Sequence, residues 1–222
     1  MKLKQLEAQL QTVSKFANPK IQYEQYPTSA HIASQLLYTA ANTYDDIEDT
    51  VVLDLGVGCG VLSAGAGLLG AAYNIGVDID PDALEQAAVN CEDLDTVAQQ
   101  IPIDLIRANV EDLLPEDGST KSPQSRLWAD TVIMNPPFGT KTKVGIDMVF
   151  LQVAFSIAET AVYSLHKSST REFILKKAAS WGWRGEVVAE LRYDIPASYK
   201  FHKKKSVDVE VDFLRFEKLD EE

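Results

Sequence analysis

Val51-Val52-Leu53-Asp54-Leu55-Gly56-Val57-Gly58-Cys59-Gly60 is the stretch from which the fold can be read. Its first half is a short apolar run of the kind found in fully buried strands. Its second half is a glycine-spaced turn, and a Gly/Ala-rich helical segment follows near 60–71. A second strand is predicted over 73–78 and ends in Gly76-Val77-Asp78-Ile79-Asp80. Asp80-Pro81 then reads as the N-cap and first residue of a helix running to about Asp93. Strand, glycine turn, helix, strand, helix is the signature of parallel βαβ units with right-handed crossovers.

The same alternation extends along the chain. Strands are predicted over Ile103–Arg107, Thr131–Met134, Ala161–His166, residues 186–194 and residues 206–213. Helices are predicted over 146–160 and 169–182, and residues 115–126 read as a polar loop. In the last strand Val207, Val209, Val211 and Phe213 alternate with polar residues, which marks a half-buried strand. No helix separates the last two strands, so they should pair antiparallel. Upstream, Leu3, Leu6, Leu10, Val13 and Phe16 recur three or four apart and predict a helix over 3–16, ended by Asn18-Pro19. A second helical pattern carries Ile32, Leu36, Leu37, Ala40 and Ala41, with Thr28 or Ser29 as N-cap. The expected class is α/β: a seven-stranded, mostly parallel, Rossmann-like sheet with helices on both faces and an antiparallel last strand. One domain over 1–222 is expected, with residues 1–45 as a helical segment closing over a ligand.

Composition bounds the function. The chain has 222 residues, 45% of them apolar and 24% charged, enough for a single cored domain. A net charge of −12 excludes a basic nucleic-acid coat protein, so any contact with a polyanion must be local. Between His166 and Lys205, ten Lys and Arg stand against four Asp and Glu, so this part is positive in an acidic chain. It contains Lys200-Phe201-His202-Lys203-Lys204-Lys205, where basic residues interleave with an aromatic one, a pattern suited to phosphates and an unstacked base. A solvated lysine run or a nuclear-import patch reads equally well from these residues alone. Two cysteines, Cys59 and Cys91, fit a reducing compartment, here cytoplasm and nucleus, and exclude a disulfide scaffold. No secretory signal or transmembrane run is expected.

The glycine turn sits where ligands bind in such sheets, at the carboxyl end of the first strand. Asp78 lies 22 residues after Gly56, at the end of the next strand, where a carboxylate can accept from both ribose hydroxyls. Val61 stands where a dinucleotide fingerprint needs glycine, and no P-loop pattern is present. Asp54 beside the turn would repel a pyrophosphate and suits a cationic amino-acid moiety. The Asp54 to Gly60 pattern, D-x-G-x-G-x-G, resembles the S-adenosylmethionine site of class I methyltransferases. In the methyltransferases it resembles, the residue after the third strand often bonds the adenine amino group, which implies that role for Asn109, with the Val110 N–H toward a ring nitrogen; a plain loop asparagine fits as well.

Asn135-Pro136-Pro137-Phe138 after the fourth strand resembles the [DN]-P-P-[YFW] motif of enzymes that methylate a conjugated amino nitrogen. Such a nitrogen is a poor nucleophile because its lone pair is delocalised. Two fixed acceptors, the Asn135 side-chain oxygen and the Pro136 carbonyl, can bind its N–H bonds and draw it toward tetrahedral geometry. The prolines stiffen the loop, and Phe138 offers a stacking face. No histidine is paired with a nucleophile, so His31, His166 and His202 read as structural.

Glu24-Gln25-Tyr26-Pro27-Thr28, Asn42 to Glu48, Met134 to Lys141, Ala161 to Glu172 and Ala189 to Val211 together make the chain similar to the methyltransferase-like protein 5 family over nearly its whole length. The resemblance implies an S-adenosylmethionine-dependent N6-adenosine methyltransferase of small-subunit (18S) ribosomal RNA. It implies a heterodimer with a small zinc-binding activator subunit; in the class I strand order the third strand, Ile103–Arg107, lies at a sheet edge with apolar groups to cover, so the subunit is expected to add a strand there. It further implies that Gln25 and Thr28 close over the cofactor, that Gly56, Gly58, Cys59, Val61, Asp78 and Ile79 line it, and that Asn135 to Phe138 hold the adenine. Lys200, His202, Lys203, Lys204 and Lys205 would contact RNA. Two positions depart from the family pattern: Val57 stands where Cys is common, and Asn109 where Asp is common. The residues alone leave open a glutamine-N5 methyltransferase of proteins, whose carboxamide nitrogen poses the same lone-pair problem, and a non-catalytic ribosome-assembly factor.

Overall fold

The computed structural model describes residues 1–95, 100–114, 127–139, 143–196 and 206–219, with backbone alone at 193–196 and 206–208. The expected polar loop at 115–126 and the lysine tract at 200–205 lie outside these residues.

Among the described residues the strands are β1 (Val51–Leu55), β2 (Tyr73–Asp78), β3 (Ile103–Arg107), β4 (Ala129–Met134), β5 (Ala158–Lys167), β6 (Trp183–Pro196) and β7 (Ser206–Lys218). They form one sheet in the order β3-β2-β1-β4-β5-β7-β6. Every pair from β3 to β5 is parallel, and β7 runs antiparallel to both β5 and β6. This is the class I methyltransferase fold. The order reverses between β1 and β4, so the carboxyl ends of these two strands flank the crevice where such sheets bind ligands.

The helices are α1 (Leu3–Leu10), α2 (Ala30–Thr43), α3 (Val61–Leu68), α4 (Pro81–Leu94), α5 (Ile146–Ile157) and α6 (Arg171–Ser180). The two sheet faces carry separate cores. One is built from α1, α2 and α3 with Leu6, Leu37, Ile133 and Tyr163; the other holds Phe155, Leu151, Trp183 and Phe216. In the second, the Phe155 and Trp183 rings stack with centroids 4.5 Å apart. All eight residues of α3 are buried. Its glycines are needed for packing: a Cβ on Gly65 would sit 2.3 Å from Leu37, and one on Gly67 would sit 2.6 Å from Ile101. Ser29 caps α2 by accepting from the Ile32 N–H at 3.3 Å, and Asp80 caps α4 with Pro81 at N1, as expected.

Three boundaries differ from the sequence reading. The first helix stops at Leu10, and Val13 and Phe16 lie beyond it. Asn90, buried on α4, accepts from the Ser14 N–H at 3.0 Å and donates to the Ser14 carbonyl at 2.9 Å, so the chain leaves the helix to make these bonds. The helix expected over 146–160 ends at Ile157, and β5 starts immediately at Ala158. The last two strands are also longer than their alternating segments, reaching 183–196 and 206–218.

Candidate active site

The carboxyl ends of β1, β2, β3 and β4 open into a cleft of about 250 Å³. One wall is the glycine turn. Gly56 and Gly58 have φ of +78° and +54°, a region open to glycine at no steric cost. There is no room for side chains either: a Cβ on Gly56 would lie 3.2 Å from the Phe150 ring, and one on Gly58 would lie 3.1 Å from the Phe16 ring. Asp78 fixes the turn, accepting from the Gly58 N–H and the Asp80 N–H at 2.9 Å each. Each carboxylate oxygen keeps a further lone pair for a hydroxyl. Burial raises the Asp78 carboxyl above its ordinary range, offset in part by these bonds.

Asp54 is 1% exposed. Its Oδ2 accepts from the Ser63 N–H at 3.1 Å and from the Ser63 hydroxyl at 2.8 Å, in the first turn of α3. Its Oδ1 is buried without a hydrogen-bond partner among the described residues. Burial, with the charge of Asp78 adding to it, pushes this carboxyl up to about 7. An isolated buried carboxylate is costly, so a ligand carrying an ammonium group would relieve it.

The opposite wall is the segment before α2. Phe16, Gln22, Tyr23, Glu24, Gln25, Tyr26, Pro27 and Thr28 all line the cleft. Glu24, in the left-handed region at φ +49°, turns this segment over the glycine turn. Gln25 is held at both ends of its amide: Oε1 accepts from the Lys20 N–H at 2.7 Å, and Nε2 donates to Asp80 at 2.7 Å. Lys20 also reaches Asp80 at 2.6 Å and Asp82 at 2.8 Å. The segment is thereby strapped to the start of α4, beside Asp78.

Asn109 and Val110 line the cleft after β3. The Asn109 Oδ1 accepts from the Glu111 N–H at 3.2 Å and caps the short 3-10 helix that follows. A structural use of this side chain therefore stands beside the adenine-binding one. Cys59, Val61 and Ile79 line the cleft as well. Burial pushes the Cys59 thiol up to about 12, which leaves it a packing group rather than a nucleophile.

Asn135 and Pro137 reach the cleft from the end of β4. The Asn135 Nδ2 donates to the Thr28 hydroxyl at 3.0 Å, across 107 residues of sequence. This bond joins the strap to the proline loop. It turns the amide so that Oδ1, the acceptor end, points away from Thr28. Pro136 is buried and does not line the cleft, and neither does Phe138. The Lys167 ammonium lies 3.4 Å from the Phe138 carbonyl and 5.8 Å from the centroid of its ring.

Several lining residues escaped the sequence reading. Phe16 was counted on a helix face, and Ile146 and Phe150 fell in the helix predicted over 146–160 without being singled out. Lys143 and Glu111 form an ion pair at 2.6 Å on the cleft rim, which no local motif announces. His166 is fully buried, 2.8 Å from the Ser164 hydroxyl and 3.5 Å from the Asp147 carboxylate. The three residue types are those of a hydrolase triad, but Ser164 is also fully buried, so no substrate reaches its hydroxyl.

A family model of ribosomal protein L11 methyltransferase matches residues 26–135. The chain is 56% identical to the rRNA N6-adenosine-methyltransferase METTL5 of Danio rerio over 97% of this chain and 99% of that one. The chain belongs to the METTL5 family. The Mettl5 protein of Drosophila melanogaster is 51% identical over 98% and 97% of the two chains. Among solved structures, a Pyrococcus horikoshii protein assigned to the RNA methyltransferases superposes with a TM-score of 0.80 at 35% identity, covering 99% of both chains. The cofactor of the METTL5 family is S-adenosylmethionine, and the cleft fits it. The partnerless Asp54 oxygen suits its ammonium group, Asp78 suits its ribose, and the glycine turn leaves space that a Cβ would fill.

The raised Asp54 carboxyl sets a pH window. Its folded-state pKa lies above the unfolded one, so its contribution to stability is complete below about pH 4 and is lost as pH rises through about 7. Cofactor affinity should run the other way, strengthening as Asp54 ionises and weakening again as the cofactor's amino group loses its proton near pH ~8. Calorimetric titration of the wild type between these limits should show the rise, and Asp54→Asn should flatten it. An identical pH profile in the variant would exclude the pairing.

Proposed function

We propose that the chain transfers a methyl group from S-adenosylmethionine to N6 of an adenosine in small-subunit (18S) ribosomal RNA. The observation that carries this reading is the proline-stiffened loop at the end of β4, with Asn135 oriented by Thr28 at the edge of a cofactor-shaped cleft. S-adenosylmethionine supplies an activated methyl group on a sulfonium and leaves as the neutral thioether. The Asn135 Oδ1 and the Pro136 carbonyl accept the two N–H bonds of the adenine amine. They localise the nitrogen lone pair, which forms the new N–C bond as the S–C bond breaks. Asn135 takes no proton; the excess proton on nitrogen passes to water. The chain's contribution is alignment of an in-line displacement, which can supply several kcal/mol of the barrier, on the order of 7–11 in favourable cases. An amine buried in a helix must first be extruded.

The METTL5 relatives named for rRNA N6-adenosine support the RNA reading over protein glutamine methylation. Labelled cofactor, incubated with the protein and either ribosomal RNA or total protein, separates the readings. Label confined to RNA, recovered as N6-methyladenosine after digestion, is expected; label in protein alone rules the proposal out. Replacing Lys203, Lys204 and Lys205 with Glu should weaken RNA binding and spare cofactor affinity. RNA affinity unchanged in a titration would remove this tract from the interface.

A small zinc-binding activator subunit is proposed to add a strand to β3. This strand is one of the two edges of the sheet, and Ile106 on it is 38% exposed. Among the described residues no strand pairs with its outer side, and a parallel edge with apolar side chains invites pairing. Expressed alone, the chain should aggregate or lose activity; a stable, fully active monomer counts against the partner.

A further inference from the structure

The hairpin of β6 and β7 outruns the rest of the sheet. Strand β5 ends at Lys167, opposite Val211, whereas β6 and β7 continue pairing outward to Pro196 and Ser206. This extension stands beyond the carboxyl end of β5, on the same side as the proline loop. At its root lies a second cleft of about 490 Å³, lined by Lys167, Ser169, Arg192, Val209 and Glu210. Lys167 reaches from this cleft to the proline loop, since its ammonium also lies against Phe138.

The charges here are differently engaged from those nearby. Arg171 is neutralised by Asp212 at 2.6 Å and Glu190 at 2.8 Å. The Arg192 side chain is exposed and makes no ion pair or hydrogen bond among the described residues. Glu210 faces it across the ladder without an ion pair forming. Two cations and a hydroxyl against one carboxylate leave the cleft positive in a chain of net charge −12. The lysine tract lies between β6 and β7 in sequence, so the positive charge of this hairpin is not confined to the cleft.

We propose that this cleft binds a backbone phosphate of the RNA adjoining the target adenosine, with Arg192 as its principal contact. The inference rests on the RNA reading above and adds the residues that set the strand's register. Backbone contacts position a nucleic acid while base contacts select it. An extruded nucleotide needs its flanking phosphate held, or the base is free to swing back into its stack. The Arg192 guanidinium can grip a phosphate with two parallel N–H bonds, which an ammonium cannot match. Lys167, between phosphate and Phe138, links backbone capture to the platform for the base.

The test titrates the full chain, purified together with the proposed activator subunit, with a short single-stranded RNA at several salt concentrations, and follows methyl transfer to isolated small-subunit ribosomal RNA. Arg192→Glu should raise KM for RNA at least about tenfold and spare cofactor affinity. It should flatten the slope of log affinity against log salt by about 0.7. Arg192→Lys should restore the slope but only part of the affinity. Ser169→Ala, a milder change, should weaken RNA binding about two- to tenfold. If the wild type binds and methylates RNA while Arg192→Glu keeps its slope and KM, the phosphate cleft is overturned and the RNA reading stands. If the wild type neither binds nor methylates RNA, both fall.

Discussion

Asn135→Ala should lower single-turnover methyl transfer by about 10²–10³-fold while cofactor affinity changes little, the scale seen when one preorganised polar partner of a reacting group is removed. The reason is geometric. In the proposed mechanism the side-chain oxygen is one of two acceptors that localise the amine's lone pair, and the amide is oriented by the Nδ2 bond to Thr28. Asn135→Asp keeps an acceptor, which the Thr28 hydroxyl can hold by donating instead of accepting; most activity should survive, within about tenfold. Thr28→Val removes the orienting hydroxyl and should reduce kcat more than it raises KM for RNA, and Thr28→Ser should restore kcat. The measurements are single-turnover transfer and cofactor titration on each variant. Near-normal transfer by Asn135→Ala would show that nothing at this position acts on the amine.

Arg215→Ala should destabilise the protein by about 3–5 kcal/mol, because it leaves a buried carboxylate without its counter-ion. Arg215 on β7 donates to the Asp46 carboxylate at 2.9 Å, to Glu217 at 2.6 Å and to the Tyr163 hydroxyl at 3.1 Å. Its guanidinium lies over Tyr44, 4.4 Å from the ring centroid. Asp46 is 4% exposed and also accepts from the Tyr163 hydroxyl at 2.6 Å. Its carbonyl accepts from the Thr131 hydroxyl on β4 at 2.7 Å. The cluster therefore ties the end of α2 to β4, β5 and β7, and the two residues bonded at the cleft hang from these elements: Thr28 just before α2, Asn135 just after β4. Denaturant unfolding measures the cost, and Asp46→Asn combined with Arg215→Ala should recover part of it by removing the orphaned charge. A loss below about 1 kcal/mol in the single variant would mean water reaches Asp46 freely.

Much of this was legible before the structure. The glycine turn, the acid at the end of β2, the capped start of α4 and the proline loop are local patterns, each forced by a short-range requirement of backbone or hydrogen bonding. Their convergence on one cleft follows from the strand order. The misread boundaries share a different cause. Residues 146–160 are apolar on almost every face, so helical and extended periods fit alike, and only the pairing of Ala158 with Ala129 decides where the helix ends. Phe16 satisfied the helical spacing of its neighbours, yet Asn90 captures Ser14 and sends the ring to Gly58 instead. Arg215 and Asp46 are 169 residues apart, and no pattern in the chain announces a bond over that span.

The two glycines of α3 have a last implication. With Leu37 and Ile101 seated where side chains would begin, this helix is wedged between its neighbours with no slack on either flank. A single added methyl there would push the whole rod, and the nucleoside-facing turn at its head would shift with it. Substitutions far from the chemistry, at Gly65 or Gly67, are therefore predicted to masquerade as binding defects.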